Sequence, residues 1–179
     1  KQFAALVLAV VAAPRLNYPD DAKAARLAGL AQLEAIQASV EEKADALLAA
    51  MSDNGTVFEV FSALGKVAPK DKRFVAAVLA AVSAPNPDRF QSVRDRRLAG
   101  IAQLNVIGAT TPEKIYALVD GIADQGTFPA VLKALVDFGP EAKYALPALK
   151  ELKASTNEVV RTAAIKAIAK IEAAIVEKK

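Results

Sequence analysis

The sequence predicts an all-α fold, an α–α superhelix of about ten helices stacked in five pairs, and three observations predict it. Apolar residues make up 54% of the chain while aromatics are only 6%, so the apolar share is largely alanine, which favours helix and close helix approach. Apolar side chains recur at three- and four-residue spacing, as in Ile165, Ile168, Ile171 and Ile175, the period that lines one helix face. The chain is also internally duplicated, the mark of an architecture in which each unit buries its apolar face against the next.

The duplication has a fixed offset. RLAGLAQLEAI begins at Arg26 and RLAGIAQLNVI at Arg97, and 97 − 26 = 71. The same offset relates Phe3–Pro14 (FAALVLAVVAAP) to Phe74–Pro85 (FVAAVLAAVSAP), Asp53–Val60 (DNGTVFEV) to Asp124–Val131 (DQGTFPAV), and Pro69 to Pro140. A partial third copy places Ala142–Leu152 at the position of Lys72–Val82 and Val160–Ile171 at that of the RLAG helix, with 161 − 97 = 64. The shortening falls in one loop. Pro14–Asp21 (PRLNYPDD) and Pro85–Ser92 (PNPDRFQS) are replaced by the short turn ASTN, Ala154–Asn157.

Taken in order, each full copy reads as four helices, near residues 2–13, 20–37, 40–51 and 56–67, repeated after 70. Ser39-x-x-Glu42, Thr110-x-x-Glu113 and Ser155-x-x-Glu158 have the spacing of capping boxes, which satisfy N–H groups left over at a first turn. Pro112 suits a first-turn position, where a missing N–H costs little. Asp53-Asn54-Gly55, Asp124-Gln125-Gly126 and Gly139-Pro140 are helix breakers. Ala28, Gly29 and Ala31, repeated as Ala99, Gly100 and Ala102, predict close helix contacts. The apolar stretch Phe3–Pro14 belongs to the repeat and is too short for a membrane span, so neither a signal peptide nor a transmembrane segment is expected.

Phe138–Glu172, FGPEAKYALPALKELKASTNEVVRTAAIKAIAKIE, resembles a HEAT repeat of the bacterial type also found in phycobilisome-lyase-like proteins. The shared features are the opening Gly-Pro, a proline inside the first helix (Pro147), a short polar turn, and a second helix that opens Val-Arg and alternates Ala with Ile. Ser62–Pro69 (SALGKVAP) and Lys133–Pro140 (KALVDFGP) resemble the end of the same repeat's second helix. The resemblance extends over a single domain of five repeats, about 1–38, 39–69, 70–109, 110–139 and 140–179. It implies that Arg26, Arg97 and Arg161 pair with acidic or carbonyl groups of the preceding turn and form a ladder. The chain departs from the family in the enlarged loops of repeats 1 and 3.

Composition limits the chemistry. There is no Cys, His or Trp, which removes thiolate nucleophiles, disulfides, Cys or His metal sites and imidazole catalysis. No phosphate-cradling glycine loop or nucleophile elbow is present. Asp20, Asp21, Glu41 and Glu42 have capping or solubility explanations. No enzyme activity, cofactor or metal is therefore expected, and the reading is a non-catalytic scaffold for a protein or peptide partner. Loops on a rigid scaffold commonly carry binding, so Arg15, Tyr18, Arg89, Phe90, Arg94 and Arg96 are the candidate partner-binding residues. The alternative partner is nucleic acid. Net charge is +3, and 66–97 holds 8 basic and 3 acidic residues, a local 8 − 3 = +5, of the kind that binds phosphate backbones through counterion release.

Overall fold

The computed structural model describes residues 1–13, 19–86 and 90–178, and among them the chain is all-α, with ten α-helices and no strand. The helices are α1 (Gln2–Ala12), α2 (Pro19–Gln32), α3 (Val40–Ala50), α4 (Val57–Val67), α5 (Lys72–Ser83), α6 (Gln91–Gln103), α7 (Thr111–Asp120), α8 (Phe128–Asp137), α9 (Leu146–Leu152) and α10 (Glu158–Glu177). Short 3-10 segments lie at Asn54–Thr56, Gly121–Ala123 and Gly139–Ala145. The chain divides into two compact units, Lys1–Val78 with Ala102–Gly108, and Leu79–Ile101 with Ala109–Lys179.

In unit 1, α1 packs on α2 and α3, while α4 packs on α3 and α2. Val7, Val11, Leu47, Val60, Phe61, Leu64 and Phe74 are buried between them. Phe61 and Phe74 meet edge to face, with ring centroids 6.0 Å apart and planes at 76°, the geometry that aligns a positive ring edge with a negative face. Gly29 serves the contact of α2 with α1: a Cβ there would sit 3.0 Å from the Val11 methyl, so alanine requires that side chain to give by a few tenths of an ångström.

In unit 2, α10 packs on α8, α9 and the 3-10 segment before α9, and α7 packs on α8. Ile115, Leu118, Val131, Leu135, Leu149, Ala164 and Ile171 form its core. Gly139 has φ = +58°, a left-handed conformation that a Cβ disfavours, and it ends α8 as the Gly-Pro pair predicts.

Helix ends show where local pattern and structure agree. Ser39 and Glu42 form a complete capping box, as do Thr110 and Glu113. Ser155-x-x-Glu158 does not. The N-cap of α10 is Asn157, whose side chain accepts the N–H groups of Val159 and Val160, while Ser155 Oγ accepts the Asn157 N–H at 3.2 Å. The asparagine is nearer the helix and its carbonyl reaches two orphan donors at once. Pro147 stands in the first turn of α9 rather than within a longer helix, because the preceding residues wind as 3-10 and only the first turn tolerates a missing N–H. α2 and α6 end at Gln32 and Gln103, short of the expected 37 and of its counterpart in the second copy, 37 + 71 = 108. Leu33, Ile36, Leu104 and Ile107 stay buried beyond those ends, held by turn bonds such as Ile36 N–H to the Gln32 carbonyl at 3.2 Å and Ile107 N–H to the Gln103 carbonyl at 3.1 Å. Apolar periodicity continues there, but in a turn.

Candidate binding site

Each unit holds one buried arginine near the start of an RLAG segment, and the two are built alike. In unit 1, Arg26 Nε donates to the Val11 carbonyl at 3.0 Å and Nη2 donates to the Ala13 carbonyl. Nη1 donates to Asp53 Oδ2, and the Thr56 hydroxyl donates to the same oxygen at 3.3 Å. Asp53 Oδ1 accepts the Gly55 N–H at 3.0 Å. In unit 2, Arg97 Nε donates to the Val82 carbonyl at 2.9 Å, Nη2 to the Ala84 carbonyl, and Nη1 to Asp124 Oδ2 and to Thr127 Oγ1 at 2.9 Å. Asp124 Oδ1 accepts the Gly126 N–H at 3.1 Å and its Oδ2 accepts the Thr127 hydroxyl at 3.0 Å. Arg26 and Arg97 are 2% and 1% exposed.

This clasp ties the end of one helix to its partner helix and to the Asp-Xaa-Gly-Thr turn 27 residues later. Burial pushes the Arg97 guanidinium down from its ordinary value, against the opposing pull of Asp124. Burial would raise the Asp124 carboxyl, but the Gly126 N–H, the Thr127 hydroxyl, the Arg97 charge and the Asn86 amide outweigh it and hold the group below its ordinary 3.8. A guanidinium engaged on all sides has nothing left for a ligand. Arg161 is different. It is half-buried, and its Nη1 donates to the Ser155 carbonyl at 2.9 Å, with no carboxylate in salt-bridge range among the described residues. The expected arginine–carbonyl pairing is present in all three copies. The acidic partner in the first two comes from the following turn, not the preceding one.

An open surface lies elsewhere in unit 1. A groove of about 630 Å³ runs between α2 and α4, lined by Leu30, Leu33, Phe58, Ala63 and Val67, with Glu34, Glu59 and Lys66 at its rim. Phe58 is 46% exposed, a large apolar side chain left at the mouth of an apolar trough. Lys66 Nζ stands 3.7 Å from Glu34, whereas Glu59 has no ion partner among the described residues. Unit 2 carries an exposed aromatic pair. Tyr116 and Tyr144 have centroids 6.2 Å apart, and Lys143 Nζ lies 5.1 Å over the Tyr144 ring.

Of the residues expected from the loops, Arg15, Tyr18 and Arg89 lie outside the described residues. Phe90 is 60% exposed, and its backbone N–H donates to Asn86 Oδ1 at 2.8 Å. Arg94 is half-buried and folds across the Gly126 backbone of its own unit, so that a Cβ at 126 would strike the guanidinium. Arg96 is half-buried and engaged with neighbouring groups. The basic segment is also less free than its count suggests. Arg97 is consumed by its clasp, and Arg73 pairs with both Asp71 and Asp45 at 2.7 Å. Lys66 faces Glu34.

Phe58, Tyr116 and Tyr144 were not among the expected residues. Phe58 stands where the second copy has Pro129, since 129 − 58 = 71. A difference between copies was the available signal, and a reading built on their likeness passes over it. Among the described residues no helix is long and apolar enough to cross a membrane. No protein-family model, curated protein or solved structure matches this chain.

Proposed function

We propose that the chain is a HEAT-like solenoid that binds a protein partner without catalysing a reaction, and that the groove between α2 and α4 receives an apolar helical segment of that partner. The observation that carries this reading is the trough itself, with Phe58 exposed at its mouth. Apolar recesses rimmed by a few polar groups are the usual seats of helix-in-groove recognition, and aromatic side chains are enriched at the centres of such contacts. The unpaired Glu59 at the rim favours a basic residue on the incoming helix. The burial of Arg26 and Arg97 supports the same division of labour, in which charged groups brace the frame and apolar ones meet the partner.

The test is a displayed library of helix-forming peptides selected against the full chain, with Phe58→Glu as the comparison. Enrichment of apolar helices carrying a basic residue, with at least about a tenfold loss of affinity for Phe58→Glu, supports the groove. Peptides that bind Phe58→Glu as tightly as the parent overturn it. The variant keeps its fold, because Phe58 is not part of the buried core.

A further inference from the structure

The turns that close the two clasps differ at their second residue. Unit 1 has Asp53-Asn54-Gly55-Thr56 and unit 2 has Asp124-Gln125-Gly126-Thr127. Asparagine before glycine is the pair most open to deamidation. The next backbone nitrogen closes a five-membered imide on the side-chain amide, and glycine carries no side chain to obstruct it. Glutamine needs a six-membered ring and reacts far more slowly. Asn54 is exposed, so water reaches it. Two features hold the reaction back. The attacking nitrogen is that of Gly55, whose N–H donates to Asp53 Oδ1 at 3.0 Å, and the same carboxylate is fixed through Oδ2 by the buried Arg26 and by Thr56. Asn54 also lies in the 3-10 segment Asn54–Thr56. That backbone turns the following nitrogen out of the plane the ring needs, so closure requires the turn to open.

We propose that Asn54 is a modification site, deamidated at a rate set by the opening of the unit 1 clasp. The Gly55 nitrogen gives up its proton and bonds to Asn54 Cγ, the Cγ–Nδ2 bond breaks, and ammonia leaves. Water then opens the imide. Addition at Cγ yields aspartate, and addition at the backbone carbonyl carbon yields isoaspartate, whose main chain runs through Cβ and Cγ. Either product sets a new carboxylate beside Asp53, where like charges repel. Isoaspartate also lengthens the main chain by one carbon and displaces the N–H that Asp53 Oδ1 accepts. Water alone does not reverse the change. Unit 1 therefore ages at the turn from which α4 starts, whereas Gln125 keeps the equivalent turn of unit 2 intact. The chemistry needs only water and is independent of any partner in the groove.

The test incubates the full chain at neutral and at mildly alkaline pH beside a free peptide of residues 50–60. Conversion is followed in the tryptic peptide 44–66, in which Asn54 is the only amide side chain, by mass spectrometry and by enzymatic methylation of isoaspartate. The folded chain should convert about three- to tenfold more slowly than the free peptide, the protection one hydrogen bond gives. Asp53→Ala, checked for folding by circular dichroism, should recover most of that difference. Because this variant strands Arg26, hydrogen exchange at Gly55 in the parent is a second measure, expected to be slower than in the peptide by a similar factor. Asn54→Gln should stay unmodified, and the aged parent should melt below Asn54→Gln aged beside it. Any of five results would overturn the proposal: Asn54 intact after many half-lives of the peptide, conversion as fast in the folded parent as in the peptide, a folded Asp53→Ala that converts at the parent's rate, Gly55 exchanging at the peptide's rate, or equal melting of the aged parent and aged Asn54→Gln.

Discussion

Removing the carboxylate from the unit 2 clasp is the sharpest test of what the buried arginines do. Asp124→Ala leaves the Arg97 guanidinium in a site where it is 1% exposed. Nε keeps the Val82 carbonyl and Nη2 the Ala84 carbonyl, but the charge loses its counterion. The Gly126 N–H and the Thr127 hydroxyl also lose their acceptor. Breaking one side of a buried pair typically costs about 3–5 kcal/mol. The two retained carbonyls argue for the lower part of that range, about 3–4 kcal/mol. A domain of this size loses roughly 2–4 °C of melting temperature per kcal/mol, so calorimetry should record a fall of about 6–16 °C. Chemical denaturation followed by circular dichroism gives the free energy, and Arg97→Met alone and combined with Asp124→Ala completes a double-mutant cycle. The double variant should be clearly more stable than the sum of the singles implies, because an apolar side chain replaces a stranded charge. Arg161→Met, at the half-buried third position, should cost less than about 1 kcal/mol. A loss under about 1 kcal/mol for Asp124→Ala, or additivity of the two changes within about 0.5 kcal/mol, would refute the account of the clasp.

Three further outcomes follow from the same geometry. Gly121→Ala should destabilise by about 1–3 kcal/mol, measured by denaturation, because a Cβ there would collide with the Val82 carbonyl that Arg97 Nε fixes in place. Asn157→Ala should cost about 1 kcal/mol and Ser155→Ala less, reversing the order expected had Ser155 been the cap; thermal melts of the two variants decide it. Acid should also find the clasp. Asp124 is depressed in the folded chain, so its contribution is present above its ordinary 3.8 and disappears as pH falls through the lower folded value. Denaturation midpoints taken downward from pH 5 should drop more steeply in the parent than in Asp124→Asn, and parallel curves would count against the linkage.

The features legible in the sequence were those set within a few residues. Ser39 with Glu42 and Thr110 with Glu113 announce their caps three residues apart, and the duplicated RLAG segments announce the helical class. The partner of Arg26 was hidden because Asp53 is 27 residues away and reads locally as a turn residue, which it also is. The early ends of α2 and α6 were hidden for another reason. Leu33 and Ile36 preserve the apolar period, and a turn buries them as well as a helix would. Of the candidate site, the arginines were legible as a recurring type, but which of them is closed and which is open depends on a contact the local pattern does not contain. Phe58 was obscured by the very likeness of the copies.

The clasp also explains the length of the duplicated segment. A helical pair cut from either full copy would carry Arg26 or Arg97 with no acid, or Asp53 or Asp124 with no arginine, and that group would be left buried and uncompensated. The smallest piece of this chain that travels with its polar interior complete is the pair of pairs, Arg26 with Asp53 or Arg97 with Asp124. Shuffling or trimming this protein should therefore succeed at boundaries that keep both members together and fail between Ala38 and Ser39, where the sequence looks most like a natural seam. The grammatical unit of the chain is set by charge balance, and the helical hairpin is only its syllable.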